Sequence, residues 1–324
     1  MSFIFDTLHP EIYHGKGKKA PFFEGWYYKL ISADEQQRYS IIPGIILGGE
    51  PHSFVQVLNG SSGESTYFEF PFNAFKAKPD SFDIRVGRNR FTASSMALDI
   101  AMDEGAIRGE LSFDGPIPWP VTWSSPGIMG WYSWLPFMEC YHGVLSFDHA
   151  ISGILTIDRT PVDFTGGRGY LEKDWGQSFP EAYIWLQTNH FDAPGACLTA
   201  SVAIIPSLGT AFPGFIVGLW LGDKLYRFAT YSGARLEKLT VSDDEVFWVL
   251  SDRENRLEMR ARRVAGGLLK APSKLDMGRR VNETLNSSVE VRLATRSGRS
   301  IFESTGRHAG LEVFDHEKLL KMVK

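Results

Sequence analysis

The sequence predicts an all-β protein of sandwich or barrel type. Runs rich in β-forming residues recur at hairpin spacing, among them FIVGLWL, KLYRFAT, EVFWVLS and RLEMRARR. Compact turn signals separate such runs: NGSSGES (59–65), DEGA (103–106), LGDK (221–224), DREN (252–255) and RSGRS (296–300). Long helical periodicity is nearly absent. Only DHEKLLKMV (315–323) predicts a helix, a terminal one of about two turns, while PSKLDMGRRVNETL fits either element. The 32 glycines and 13% aromatic content suit many turns joining strands with broad side chains.

A chain of 324 residues with 43% hydrophobic content suits two domains. The expected division is near residue 160, giving an N-terminal β domain (1–160) and a C-terminal β domain (161–324). The segment DGPIPWPVTWSSPGIMGWYSWLPFMEC (114–140) breaks the strand rhythm. Its five prolines cannot support a central ladder, and Trp119, Trp123, Trp131 and Trp134 are wrong for a solvated linker. It reads as a lid or crossover packed over something apolar.

Composition removes several function classes. A net charge of −4 and the absence of a long basic run with interleaved aromatics argue against a nucleic-acid partner. Cys140 and Cys197 form neither a metal-ligand spacing nor a disulfide framework, which favours a reducing compartment. The first twenty residues lack the basic-then-apolar order of a secretory signal, and the apolar run 211–222 is too short for a membrane helix. A cytoplasmic protein is expected, with transient contact at a membrane surface allowed. HExxH, CxxC and GxSxG are missing, so neither a metal site nor a hydrolase is expected. MECYHG (138–143) offers Glu139, Cys140 and His142, too little for a hydrolase or a metal site. TGGRGY (165–170) marks a bulge or tight turn.

Strand parity organises the remaining candidates, since alternate residues share a face. Glu24, Trp26 and Tyr28 fall together, as do Tyr170, Glu172 and Asp174, with Lys173 and Trp175 opposite the latter group. In EAYIWLQTNHF, Tyr183, Trp185, Gln187, Asn189 and Phe191 face away from Ala182, Ile184, Leu186 and Thr188. The small aliphatic face suits a core. The aromatic and amide face suits either a pocket with polar handles or a half-exposed surface. Glu172 and Asp174 would be like charges about 7 Å apart. If they are buried, one is driven toward the neutral acid; the alternative is pairing with Lys173, Arg168 or another cation.

PFFEGWYYK (21–29), MGWYSWLPFMECYHGVLSFDHAISGILTI (129–157) and GYLEKDWGQSFP (169–180), in this order, resemble the tocopherol cyclase family. The resemblance runs from about Pro21 to about Phe191. It implies two lipocalin-like antiparallel β-barrel or sandwich domains and a cofactor-free cyclisation, in which a phenol or hydroquinone closes onto the nearest double bond of its prenyl tail. The expected ligand is a small apolar prenylated aromatic or isoprenoid. Glu24, Glu172 and Asp174 are then the acid–base candidates. Trp26, Tyr28, Trp131, Trp134, Trp175, Tyr183 and Trp185 would surround the ligand and its carbocation, and Gln187 and Asn189 would bond a hydroxyl. Trp175 shares no face with Asp174 unless Gly176 marks a bulge. The carotenoid-hydratase branch tends to carry His where this chain has Lys173, so no histidine relay is expected. Hydration of an isoprenoid double bond, a non-catalytic prenyl-lipid carrier and a purely structural protein are the alternatives, separable by product mass and ligand retention.

Overall fold

The computed structural model describes residues 3–207 and 209–323, which form an all-β structure built on two large antiparallel sheets. The first sheet runs in the spatial order Ser65–Pro71, His52–Asn59, Arg38–Leu47, Phe22–Ile31, Gly167–Gly176, Cys140–Ile157, Gly105–Asp114, Ser95–Met102, Asn89–Thr92, Asp83–Val86 and Phe75–Ala77. Its inward-facing alternation makes one core. Trp26, Tyr28, Ile41 and Val55 from one limb of the path join Ile84, Phe91, Leu98 and Leu111 from the other. A sheet that brings both limbs onto one cluster must curl around it.

The second sheet runs Lys224–Ala229, Thr210–Leu221, Ala196–Ser207, Tyr183–Thr188, Ser300–Phe314, Arg279–Thr295, Asn255–Arg262, Glu245–Ser251 and Arg235–Val241. It encloses its own core of Ile184, Leu186, Val202, Val217, Trp248 and Leu257 with their neighbours. Among the described residues no pairing joins the end strands of either path, so neither sheet is a closed barrel.

The division expected near residue 160 lies elsewhere. The two compact units are Met1–Phe179 with Leu268–Arg280, and Pro180–Gly267 with Val281–Lys324. Gly167–Gly176 lies between Phe22–Ile31 and Cys140–Ile157 and is bonded to both, so it belongs to the first unit. Helix is confined to short pieces: Phe3–Leu8, not foreseen, and His316–Leu320, shorter than the two turns expected. None is long and apolar enough to cross a membrane. The stretch that fitted either element becomes irregular chain leading into the strand Arg279–Thr295.

The 114–140 segment contains a two-strand ribbon (Val121–Thr122, Ser125–Pro126) and a 3-10 turn, Gly130–Trp134. Trp119 is buried against Phe147, with ring centroids 5.5 Å apart. The other tryptophans do not form an inward lid: Trp123 and Trp131 are exposed, and Trp134 stacks on Trp123.

Candidate functional site

Gly167–Gly176 pairs with Phe22–Ile31 in a register that sets Glu24 opposite Trp175, Trp26 opposite Lys173 and Tyr27 opposite Glu172. On the other side, Asp174 lies opposite His142 and Glu172 opposite Val144. The register runs unbroken from Gly169 to Gly176, so no bulge turns Trp175 toward Asp174. The candidates therefore occupy two opposite faces of one strand.

The inner face carries Glu24, Trp26, Tyr28, Lys173 and Trp175. Glu24 and Lys173 are fully buried with Oε1 and Nζ 2.6 Å apart. The Glu24 carboxylate also accepts the His14 backbone N–H, at 3.0 and 2.9 Å to its two oxygens. Lys173 Nζ donates to the Ile12 carbonyl and to His14 Nδ1, the latter at 2.8 Å. His14 Nε2 lies 3.0 Å from the Asp6 carbonyl, a contact in which Nε2 is the donor. The ammonium sits 5.0 Å from the Trp26 ring centroid and 4.6 Å from that of Trp175. Trp175 is held between His14 (4.4 Å) and Tyr141 (5.4 Å) in near-parallel stacks. Burial pushes the Lys173 ammonium below its ordinary range, and Glu24 opposes that shift. Tyr28 lies in the core and donates to the Thr92 carbonyl at 2.8 Å. This face is a filled polar knot, closed by residues 12–14.

The outer face carries Tyr170, Glu172 and Asp174, and the fold adds His142 from the neighbouring strand. His142 Nδ1 lies 2.9 Å from Asp174 Oδ1, and its Nε2 lies 3.6 Å from Glu172 Oε2. Tyr170 donates to Glu172 Oε2 at 2.5 Å. Burial alone would lower the His142 pKa, but Asp174 and then Glu172 outweigh it and raise it to about 9. The like charges anticipated at Glu172 and Asp174 thus share an imidazolium, and Arg168 bonds Asp148. The histidine that the fold adds beside these carboxylates comes from residue 142, not from position 173. Nitrogen and carboxylate atoms of His142, Glu172 and Asp174 all lie within 4.8 Å of one another, a donor set that a divalent cation would also accept.

His142 has a folded-state pKa above its ordinary 6.5, so its stabilising contribution is complete below about pH 6.5 and is lost as pH rises through about 9. The melting temperature should fall over that window, and His142→Gln should flatten the fall. Gly176 ends this strand at φ +150°, where an added Cβ would lie 2.3 Å from the Glu139 carbonyl oxygen. Gly176→Ala should cost about 1–3 kcal/mol in a denaturation experiment.

The remaining candidates sit apart from this cluster. Trp131 is exposed, and Trp134 is half-buried between Trp123 and Phe3. Tyr183, Trp185, Gln187 and Asn189 are buried in the second unit. The predicted alternation is present over the strand Tyr183–Thr188, where Ile184 and Leu186 enter the core while Tyr183 donates to Glu312 at 2.7 Å. Phe191, expected on the opposite face, enters that same core because the strand breaks at Asn189. The Trp185 ring lies over Gly310, where a Cβ would approach it to 2.7 Å.

The tocopherol cyclase-like family model matches residues 77–314. The chain belongs to this family. It is 23% identical over 290 residues to a probable chloroplastic tocopherol cyclase of Oryza sativa subsp. japonica, covering 73% of this chain but 60% of the rice protein. A chloroplastic tocopherol cyclase of Zea mays is 22% identical, covering 93% of this chain and 76% of its own length. Among solved structures, CghA with Sch210972 superposes with a TM-score of 0.58 at 11% identity, covering 91% and 88% of the two chains. A protein described as AttH from Nitrosomonas europaea gives 0.54 at 12% identity, covering 94% and 95%. At these identities the structural likeness establishes the fold that this tocopherol cyclase-like chain shares with them.

Proposed function

We propose that this chain catalyses an isomerising cyclisation of a prenylated phenol or hydroquinone to a chromanol, with His142, Glu172 and Asp174 as its acid–base group. The observation that carries the proposal is the imidazole clasped between two carboxylates on a largely buried sheet face, in a member of the tocopherol cyclase-like family. The chemistry needs one proton delivered to the trisubstituted alkene and one removed from the phenol oxygen. The C=C π bond and the O–H bond break, while a C–H bond and the ring C–O bond form. The proton count returns to its start, so a closed set of side chains suffices. Tyr170 is bonded to Glu172 and Asp174 to His142, and the 3.6 Å between His142 Nε2 and Glu172 Oε2 leaves a gap that a substrate hydroxyl would bridge in that exchange. Glu24 takes a structural role in this scheme, because its oxygens are occupied by Lys173 and the His14 amide.

Incubation with a panel of prenylated hydroquinones, read by chromatography and mass spectrometry, tests the proposal. An isomeric product with a changed ultraviolet spectrum supports it. A product heavier by one water reassigns the chain to hydration, and ligand retained without conversion makes it a carrier. Turnover should survive a chelator and should fall on addition of zinc, which would compete for His142 and Glu172. Loss of activity with chelator and its return with zinc would overturn the acid–base assignment.

A further inference from the structure

The end of the first sheet where this cluster lies carries an apolar surface that the chemistry does not use. Residues 115–138 contain no Asp, Glu, Lys or Arg, yet hold four tryptophans and Phe137. The segment is built rather than loose. Trp119 is anchored in the core, Ser133 Oγ donates to the Pro126 carbonyl at 2.7 Å, and Trp134 Nε1 donates to the Trp123 carbonyl at 3.0 Å. Tyr141 also donates to the Leu135 carbonyl. Despite this order, Trp123 is 67% exposed, Phe137 66% and Trp131 47%. The helix Phe3–Leu8 adds Phe3 and Ile4, about half exposed, and the Phe3 ring lies 6.1 Å from Trp134.

Register fixes where this surface lies. Phe23 pairs with Gly176, and Gly176 with Cys140. The chain just before Phe22 and the chain just before Cys140 therefore leave the same end of the sheet. The first of these carries Lys16, Lys18 and Lys19, all exposed, with no acidic residue between Glu11 and Glu24. A soluble monomer seldom leaves a contiguous aromatic patch in water. Large aromatics on an irregular, charge-free segment, flanked by lysines, are what a bilayer interface with anionic headgroups selects.

We propose that this end of the first unit docks onto an anionic lipid surface, with Trp123, Trp131, Phe137, Phe3 and Ile4 entering the interface and Lys16, Lys18 and Lys19 meeting the headgroups. The inference is independent of the reaction assigned to His142, and it places the outer-face cluster near a source of apolar ligand.

Co-sedimentation with phosphatidylcholine vesicles, with and without phosphatidylglycerol, tests the inference. The wild-type chain should bind the anionic vesicles more strongly than the neutral ones. W123S/W131S/F137S should weaken binding about tenfold or more, and K16Q/K18Q/K19Q should remove the preference for anionic lipid. Both variants change exposed residues, so their melting temperatures should match the wild type. Wild-type protein that stays in the supernatant with every vesicle overturns the inference, as does aromatic-variant binding at the wild-type level. Sedimentation velocity showing a wild-type dimer that W123S/W131S/F137S converts to monomer would also overturn it, assigning the patch to a second copy of the chain.

Discussion

Lys173→Met is expected to destabilise the protein by about 3–5 kcal/mol, the range for removing one partner of a buried ion pair. The ammonium has three defined partners, the Glu24 carboxylate, the Ile12 carbonyl and His14 Nδ1, and it lies beside the Trp26 and Trp175 rings. Without it, Glu24 stays buried with the His14 amide and, 3.6 Å from Oε1, the His14 ring nitrogen as its remaining partners. The melting temperature should drop by roughly 10 °C or more. Glu24→Gln combined with Lys173→Met should recover much of the loss, since the double variant leaves no uncompensated charge. A Lys173→Met variant that melts with the wild type, or a double variant worse than either single one, would contradict this account of the inner face.

The outer face should behave in the opposite way. Glu172→Gln and His142→Asn should each lower kcat for cyclisation by about 10²–10⁴-fold, the usual contribution of a positioned acid or base. Their melting temperatures above about pH 9, where the stabilising contribution of the imidazolium is already lost, should change far less than that of Lys173→Met. Asp174 holds His142 through Nδ1, so Asp174→Asn should leave a weaker, misoriented imidazole and a smaller loss than His142→Asn. If Glu172→Gln and His142→Asn turn over prenylated hydroquinone at the wild-type rate, the cluster is structural. If Glu24→Gln at preserved fold is the variant that stops turnover, the reaction belongs to the inner face.

Covering of the aromatic end of the first unit by lipid is compatible with either outcome, because the exposed tryptophans and lysines belong to segments outside the Gly167–Gly176 strand. Kinetic and vesicle experiments therefore report on separate parts of the molecule.

Local sequence determined a good deal. Dense turn residues and alternating side chains fixed an all-β chain, since period-2 burial is a local property of each strand. The same alternation correctly divided Glu24, Trp26 and Tyr28 from Tyr27, and Glu172 and Asp174 from Lys173 and Trp175. The rare-residue segments around Glu24, His142 and Asp174 marked the family. Tertiary structure decided how those faces combine. Phe22–Ile31 and Gly167–Gly176 pair Glu24 with Trp175, so even positions of one strand share a face with odd positions of the other. A shift of one residue would have united all three carboxylates, and nothing local to either strand specifies that register. His142 was visible in MECYHG but stood 32 positions from Asp174, and only the Cys140–Ile157 pairing brings them together. Besides Glu24, the partners of Lys173 come from residues 12–14, an irregular segment whose polar backbone groups gave no periodic signal. Side-chain direction is written in the strand, whereas the identity of a neighbour across the sheet is set by long-range pairing that only the folded chain supplies.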